Sequence, residues 1–226
     1  MLDAGCGLGE LAIELVPTVT PGGRVAAVDS NPDAIARARE AAARAGVDID
    51  FAVADVRDLP FGRESFDVVR SERVFQYLQP GDAAQAASEL VRVTRPGGLV
   101  QVVDPDHFQM TIAASDREVA HALGEQFAGL SANPESGLLL GGWLRDAGAV
   151  EVTVDVHPTV FTRLATFSLV RDLRRELDYL AARGRVDRER GAAFMADLER
   201  RDEQGVFLAV VEVYVGTARV SPARRP

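Results

Sequence analysis

The 226-residue sequence predicts a doubly wound α/β fold, a mostly parallel sheet with helices on both faces and an antiparallel edge strand. Three observations carry that expectation. Short apolar runs alternate with segments of helical periodicity from the first residue onward. A glycine loop, Gly5-Cys6-Gly7-Leu8-Gly9, joins the first run to the first helical segment. Near the end, the order helix, strand, long helices, strand suits a sheet that closes with a reversed edge.

Met1 to Ala4 reads as the first strand, and Leu11, Ala12, Leu15 and Val16 repeat at helical spacing until Pro17. Arg24 to Val28 reads as the second strand. Asn31 then caps a helix with Pro32 at its first position, and Gly46 stops it. Strands follow at Ile49 to Ala54 and Phe66 to Val69, and a helix from about Gly81 to Thr94. Pro96-Gly97-Gly98 breaks that helix ahead of a fifth strand, Leu99 to Val103.

Residues 105–135 read as a loop-and-helix excursion, and Leu138 to Ala147 as a helix ended by Gly148. Val150 to Val156 alternates as a strand. Phe167, Val170, Leu173, Leu177 and Leu180 predict one amphipathic helix, Arg188 to Arg200 another, and Val206 to Val215 the last strand. With no linker or repeat, the expectation is a single domain over 1–226, in which 105–220 complete and cover the sheet and 221–226 form a loose tail.

Composition excludes several classes. Hydrophobic residues make up 47% of the chain and charged residues 26%, enough to build a core and too apolar for disorder. The net charge is −9 and every basic residue is arginine, so no basic tract offers a footprint for nucleic acid. No apolar run spans a bilayer and no leader precedes the first strand, which predicts a soluble, cytoplasmic protein without membrane insertion. One cysteine, Cys6, rules out a disulfide framework or a multi-cysteine zinc site. His107, His121 and His157 are too far apart in sequence for a local metal motif.

The glycine loop is where a ligand would approach the backbone closely. Its spacing, Gly5-x-Gly7-x-Gly9, is one residue short of the dinucleotide pattern, and Asp3 and Glu10 flank it with negative charge. Such a loop repels a pyrophosphate and suits a ligand with an amino group and a positive centre.

Leu2 to Glu10 (LDAGCGLGE), Val28-Asp29-Ser30-Asn31, Ala54 to Phe61 (ADVRDLPF), Ser65 to Val69 (SFDVV) and Arg92 to Gly98 (RVTRPGG) occur in one order over residues 1–104. In this the chain resembles the class I S-adenosylmethionine-dependent methyltransferases, a Rossmann-like family. The LPF and RPGG stretches are most similar to the branch acting on quinones and other small molecules.

The resemblance makes residues 1–104 the cofactor-binding half and implies roles residue by residue. Asp3 and the backbone of Gly5, Cys6 and Gly7 face the methionine amino group. Asp29, with Ser30 and Asn31 behind it, takes the ribose hydroxyls. Asp55 takes the adenine amino group and the Val56 N–H a ring nitrogen, while Ser71 and Glu72 line the methionine end. The bland alternatives are that Gly9 serves helix packing, Cys6 is a small filler, Asp58 begins a turn and Asp67 is a strand residue.

Methyl transfer from a sulfonium is an in-line displacement, so positioning and water exclusion carry most of it, with a base needed only when the acceptor must lose a proton. The acid–base candidates are Tyr77, Asp104 and His107; Tyr77 stands where many relatives carry histidine. Phe108, Met110, Phe127, Leu138–Leu140 and Trp143 either wall an apolar acceptor pocket or form core.

The implied function is methylation of a small, apolar or aromatic acceptor, with S-adenosylhomocysteine as product. Alternatives are a non-catalytic methyltransferase-like subunit and, further off, an NAD-dependent oxidoreductase. A homodimer is compatible with all three. The chain departs from the family at its start, where at most four residues precede Gly5 and the expected cover helices are missing. One hypothesis is a start placed inside a longer frame, because GTG encodes the valine common at that position and also serves as a start. A native N-terminus mapped at Met1 would sink it; the lid would then come from residues 105–180 or from a partner.

Overall fold

The computed structural model describes residues 1–20 and 22–221; the tail expected at 221–226 lies, after Ser221, outside the described residues. The elements are β1 (Leu2–Ala4), α1 (Glu10–Leu15), β2 (Ala26–Asp29), α2 (Pro32–Ala45), β3 (Asp50–Val53), β4 (Phe66–Glu72), α3 (Pro80–Val93) and β5 (Thr94–Ile112). They continue with α4 (Arg117–Ala128), α5 (Ser136–Asp146), β6 (Ala149–Phe161), α6 (Leu164–Ser168), α7 (Leu173–Ala182), α8 (Arg188–Glu203) and β7 (Ala209–Val220). Seven strands form one sheet in the order β3-β2-β1-β4-β5-β7-β6. The ladders β3–β2, β2–β1, β1–β4 and β4–β5 are all parallel, so the sheet is mostly parallel and its antiparallel edge is the β7–β6 side.

The chain divides into two compact units. The first contains Met1–Asp104, Ser136–Asp155 and the segment from Tyr214 onward; the second contains Pro105–Glu135 and Val156–Val213. In the first unit β2 shows why the sheet is covered twice. Ala26 and Val28 join a core with Leu2, Ala4, Val69 and Leu90, while the alternate residues Val25 and Ala27 join Ala12, Ala42 and Ile49. Helices α3 and α5 supply Ala83, Ala86, Ala87, Leu90, Leu140 and Leu144 to the first face, and α1 and α2 supply Ala12 and Ala42 to the second. The second unit has its own core, in which Leu123, Phe127, Phe167, Leu177, Phe194 and Leu198 meet.

Local chemistry sets the element ends. The Asn31 side chain accepts from the N–H groups of Asp33 at 2.9 Å and Ala34 at 3.4 Å, and Gly46 at φ 70° ends α2, both as predicted. Three readings differ. Pro96-Gly97-Gly98 does not precede β5 but sits inside it, where the register with β4 jumps from Phe66↔Thr94 to Val68↔Leu99 and Gly97 takes φ 79°. Residues 105–112, read as loop, continue β5, because Met110 and Ile112 turn into the second core while Asp106 and His107 are buried with them. The single helix expected across Phe167–Leu180 is α6 and α7, separated where the Asp172 carboxylate accepts from the Arg175 N–H and starts a new helix. Among the described residues no helix is long and apolar enough to cross a membrane.

Leu90 is fully buried on α3 at the centre of the first core. Leu90→Ala is expected to lower unfolding free energy by about 2–5 kcal/mol, read from the midpoint of a chemical denaturation curve.

Candidate functional site

A cavity of about 670 Å³ opens at the C-terminal ends of the parallel strands, where open α/β sheets place their ligands. Its walls come from the loops after β1, β2, β3 and β4, all within the first unit.

The first wall is the glycine loop. Its chain turns sharply out of β1: the N–H groups of Gly5 and Cys6 both donate to the Val28 carbonyl, at 2.7 and 2.9 Å. Gly5 has φ 86°, and a Cβ there would lie 2.1 Å from Val74 Cγ2, so no side chain fits. Gly9 faces away from the cavity; a Cβ on it would meet Ala38 Cβ at 2.9 Å and the Phe51 ring at 3.3 Å. Its role is packing, the blander of its two readings. Cys6 lines the cavity, with its thiol pushed up to about 12 by burial and by the nearby charges of Asp3 and Asp29, which disfavours the thiolate.

Asp29 ties the second wall to the first. One carboxylate oxygen accepts from the Gly7 N–H at 2.9 Å and the other from the Asn31 N–H at 2.9 Å. Each oxygen keeps acceptor capacity toward the cavity. Asp3, 2% exposed at the end of β1, is pushed up to about 6 by burial, against the pull of Arg70 and with the repulsion of Glu72 and Asp29.

Asp55 carries the third wall. Arg57 holds it by its own N–H at 2.9 Å and by its guanidinium, and also pairs with Asp82 at 3.0 Å. That side-chain bond, offset in part by burial, keeps the Asp55 carboxyl below its usual range. The Leu59–Phe61 stretch behind it is pinned by the Glu89–Arg92 pair: Glu89 accepts from the Leu59 N–H at 2.8 Å, and Arg92 donates to the Phe61 carbonyl at 2.7 Å. Asp58 closes the turn back to Asp55, and Asp67 pairs with Arg95 at 2.6 Å on the exposed side of β4.

Of the predicted site residues, Asp3, Gly5, Cys6, Gly7, Asp29, Ser30, Asp55, Val56, Glu72 and Tyr77 are brought together around this one cavity. Four are elsewhere. Asn31 is spent on capping α2. Ser71 is fully buried, because alternation along β4 turns it away from the cavity that Arg70 and Glu72 face. Asp104 is fully buried and holds the chain after β4, accepting from the N–H groups of Phe75 at 3.1 Å and Gln76 at 3.0 Å and from the Ser136 hydroxyl at 3.2 Å. His107 is 4% exposed in the second unit, with its Nδ1 3.1 Å from the Arg171 guanidinium. None of the apolar residues proposed as an acceptor wall lines the cavity. Met110, Phe127, Leu140 and Trp143 belong to the two cores, and Phe108, Leu138 and Leu139 are exposed.

The residues missed are Arg57, Arg70 and Arg73, which line the cavity among its carboxylates. The only signal for them was arginine at or just past a strand end.

Residues 1–98 match a family model described as a methyltransferase domain. The match covers 98 of the chain's 226 residues. Over 222 residues, 98% of the chain, it is 30% identical to an uncharacterized 37.1 kDa protein of a Streptomyces fradiae transposon, spanning 62% of that protein. Over 104 residues, 46% of the chain, it is 39% identical to the ubiquinone/menaquinone biosynthesis C-methyltransferase UbiE of Bdellovibrio bacteriovorus, spanning 43% of that enzyme. The chain thus spans less than two thirds of these relatives. Its fold is also that of phosphoethanolamine N-methyltransferase 2 of Haemonchus contortus in complex with S-adenosyl-L-methionine, with a TM-score of 0.60 at 19% identity over 98% of this chain and 48% of that one. The residues that line the cavity all fall within the stretch that matches this family model.

Burial pushes Asp104 up to about 7 from the ordinary 3.8, against four hydrogen bonds, from the backbones of Gln76, Phe75 and Val74 and from the Ser136 side chain, that favour its charged form. In the unfolded chain it ionises first, so between about pH 4 and pH 7 stability falls as pH rises. Asp104→Asn is expected to flatten that part of the slope, measured as unfolding free energy at about pH 4.5 and about pH 8.

Proposed function

We propose that this chain is an S-adenosylmethionine-dependent methyltransferase acting on a small-molecule acceptor. The observation that carries the reading is one cavity with Asp3, Asp29 and Asp55 on three successive walls beside a glycine loop in which Gly5 leaves no room for a Cβ. Its volume lies in the range of small-ligand sites.

The residues fit the cofactor group by group. Asp3 would face the ammonium of the methionine end, the Asp29 lone pairs would accept from the two ribose hydroxyls, and Asp55 with the Val56 N–H would meet the adenine edge. When bound, S-adenosylmethionine supplies an electrophilic methyl on a sulfonium. The chain's part is to hold the donor, orient the acceptor in line and keep water out. With Asp104 occupied behind the loop and His107 outside the cavity lining, Tyr77 is the acid–base candidate that lines it, its side chain 61% exposed at the mouth. An acceptor that is already nucleophilic needs no base.

Two measurements test the reading. Calorimetric titration with S-adenosylhomocysteine should give binding that Asp29→Ala weakens by about 30- to 1,000-fold, with NAD⁺ silent throughout. Absence of binding to the wild-type chain overturns it, and NAD⁺ binding supports the oxidoreductase alternative. Because Asp3 must be ionised to meet an ammonium, affinity should rise as pH passes upward through about 6, and Asp3→Asn should remove that rise.

A further inference from the structure

Three arginines line the cavity, and two of them pair with carboxylates. Arg57 is bridged to Asp55 and Asp82, and Arg70 to Glu72. Arg73 pairs with no carboxylate among the described residues, although five carboxylates line the same cavity. Its backbone is constrained as well. Arg73 takes φ 57°, a left-handed conformation that non-glycine side chains rarely adopt. It is held there from both ends: its N–H donates to the Val103 carbonyl at 2.8 Å, and its carbonyl accepts from Gln76 Nε2 at 3.2 Å. Gln76 is in turn held through its N–H by the buried Asp104. Glycine would fill this position without strain, yet a long cation stands there, exposed and directed to the cavity lining.

We infer that Arg73 is the anion-recognition residue of this cavity, its guanidinium kept free of internal partners to take a carboxylate of a bound small molecule. The planar guanidinium fork matches a carboxylate in two parallel hydrogen bonds. The inference rests on the methyltransferase reading only in naming two sources of that group, the methionine end of the cofactor or an acidic acceptor.

The test uses the full chain and the variants Arg73→Gln and Arg73→Gly, titrated with S-adenosylhomocysteine, with its decarboxylated analogue and with benzoate. If the carboxylate is the cofactor's, Arg73→Gln weakens S-adenosylhomocysteine by about 10- to 100-fold and leaves the decarboxylated analogue unchanged. If it is the acceptor's, S-adenosylhomocysteine binds wild type and variant alike. Benzoate then binds the saturated wild-type protein, is lost in Arg73→Gln, and benzyl alcohol binds neither. Arg73→Gly should lose the same anion while melting about 2–4 °C higher, because the strain goes with the side chain.

Three results overturn the inference: unchanged S-adenosylhomocysteine affinity together with benzoate binding neither protein, benzoate binding both alike, or a lower melting temperature for Arg73→Gly. A wild-type chain that ignores S-adenosylhomocysteine fails the methyltransferase reading instead, and benzoate titrated alone then still reads Arg73.

Discussion

The cavity depends on one carboxylate that serves two backbones. Asp29 stands at the end of β2 and receives the N–H of Gly7 from the loop after β1 and the N–H of Asn31 from the start of α2. Two walls contributed by segments 22 residues apart are thereby set at a fixed spacing. Both N–H groups belong to sharp turns and have no ladder to join, so without Asp29 they would need water inside the site. The carboxylate that organises the cavity is also the one with acceptor capacity turned into it.

The opposite side is organised in the same manner from further back. Asp104 holds Phe75 and Gln76, Gln76 holds the Arg73 carbonyl, and Val74 fills the space that Gly5 leaves empty. A buried carboxylate that never reaches the cavity thus sets where Arg73 and Tyr77 stand. Its burial is tolerated because four donors converge on it. In a doubly wound sheet this division is economical: strand ends fix positions, and short loops present side chains.

The parts legible in sequence were those with local causes. The glycine loop, the Asn31-Pro32 cap and the short apolar run of β2 each follow from a few neighbouring residues, and with them the succession of strands and helices along the first half of the chain and most of the residues around one cavity. What escaped had distant causes. Residues 105–112 read as loop because Asp104, Asp106 and His107 are charged or polar, and only their burial within the fold makes them strand. Asp104 looked catalytic for the same reason, a carboxylate at a strand end, when its partners lie 28, 29 and 32 residues away. Asp172 hid a helix start inside a continuous apolar stripe. Ser71 was misplaced by one residue of strand parity, which is enough to change its face.

The strand β6 deserves a different reading from its neighbours. It forms one border of the sheet, runs 13 residues, and is exposed along almost its whole length, with Val150, Val154, Val156 and Val160 open to solvent. A border of that length with free amides is a template on which another strand could grow. Three features interrupt the template: Pro158 offers no N–H, Glu151 kinks the backbone at φ 51°, and Glu151 and Asp155 place like charges along it. Chains meeting border to border would oppose those charges and find a gap in the ladder. The strand can therefore remain open without seeding assembly, and the sheet ends in sequence rather than under a covering helix.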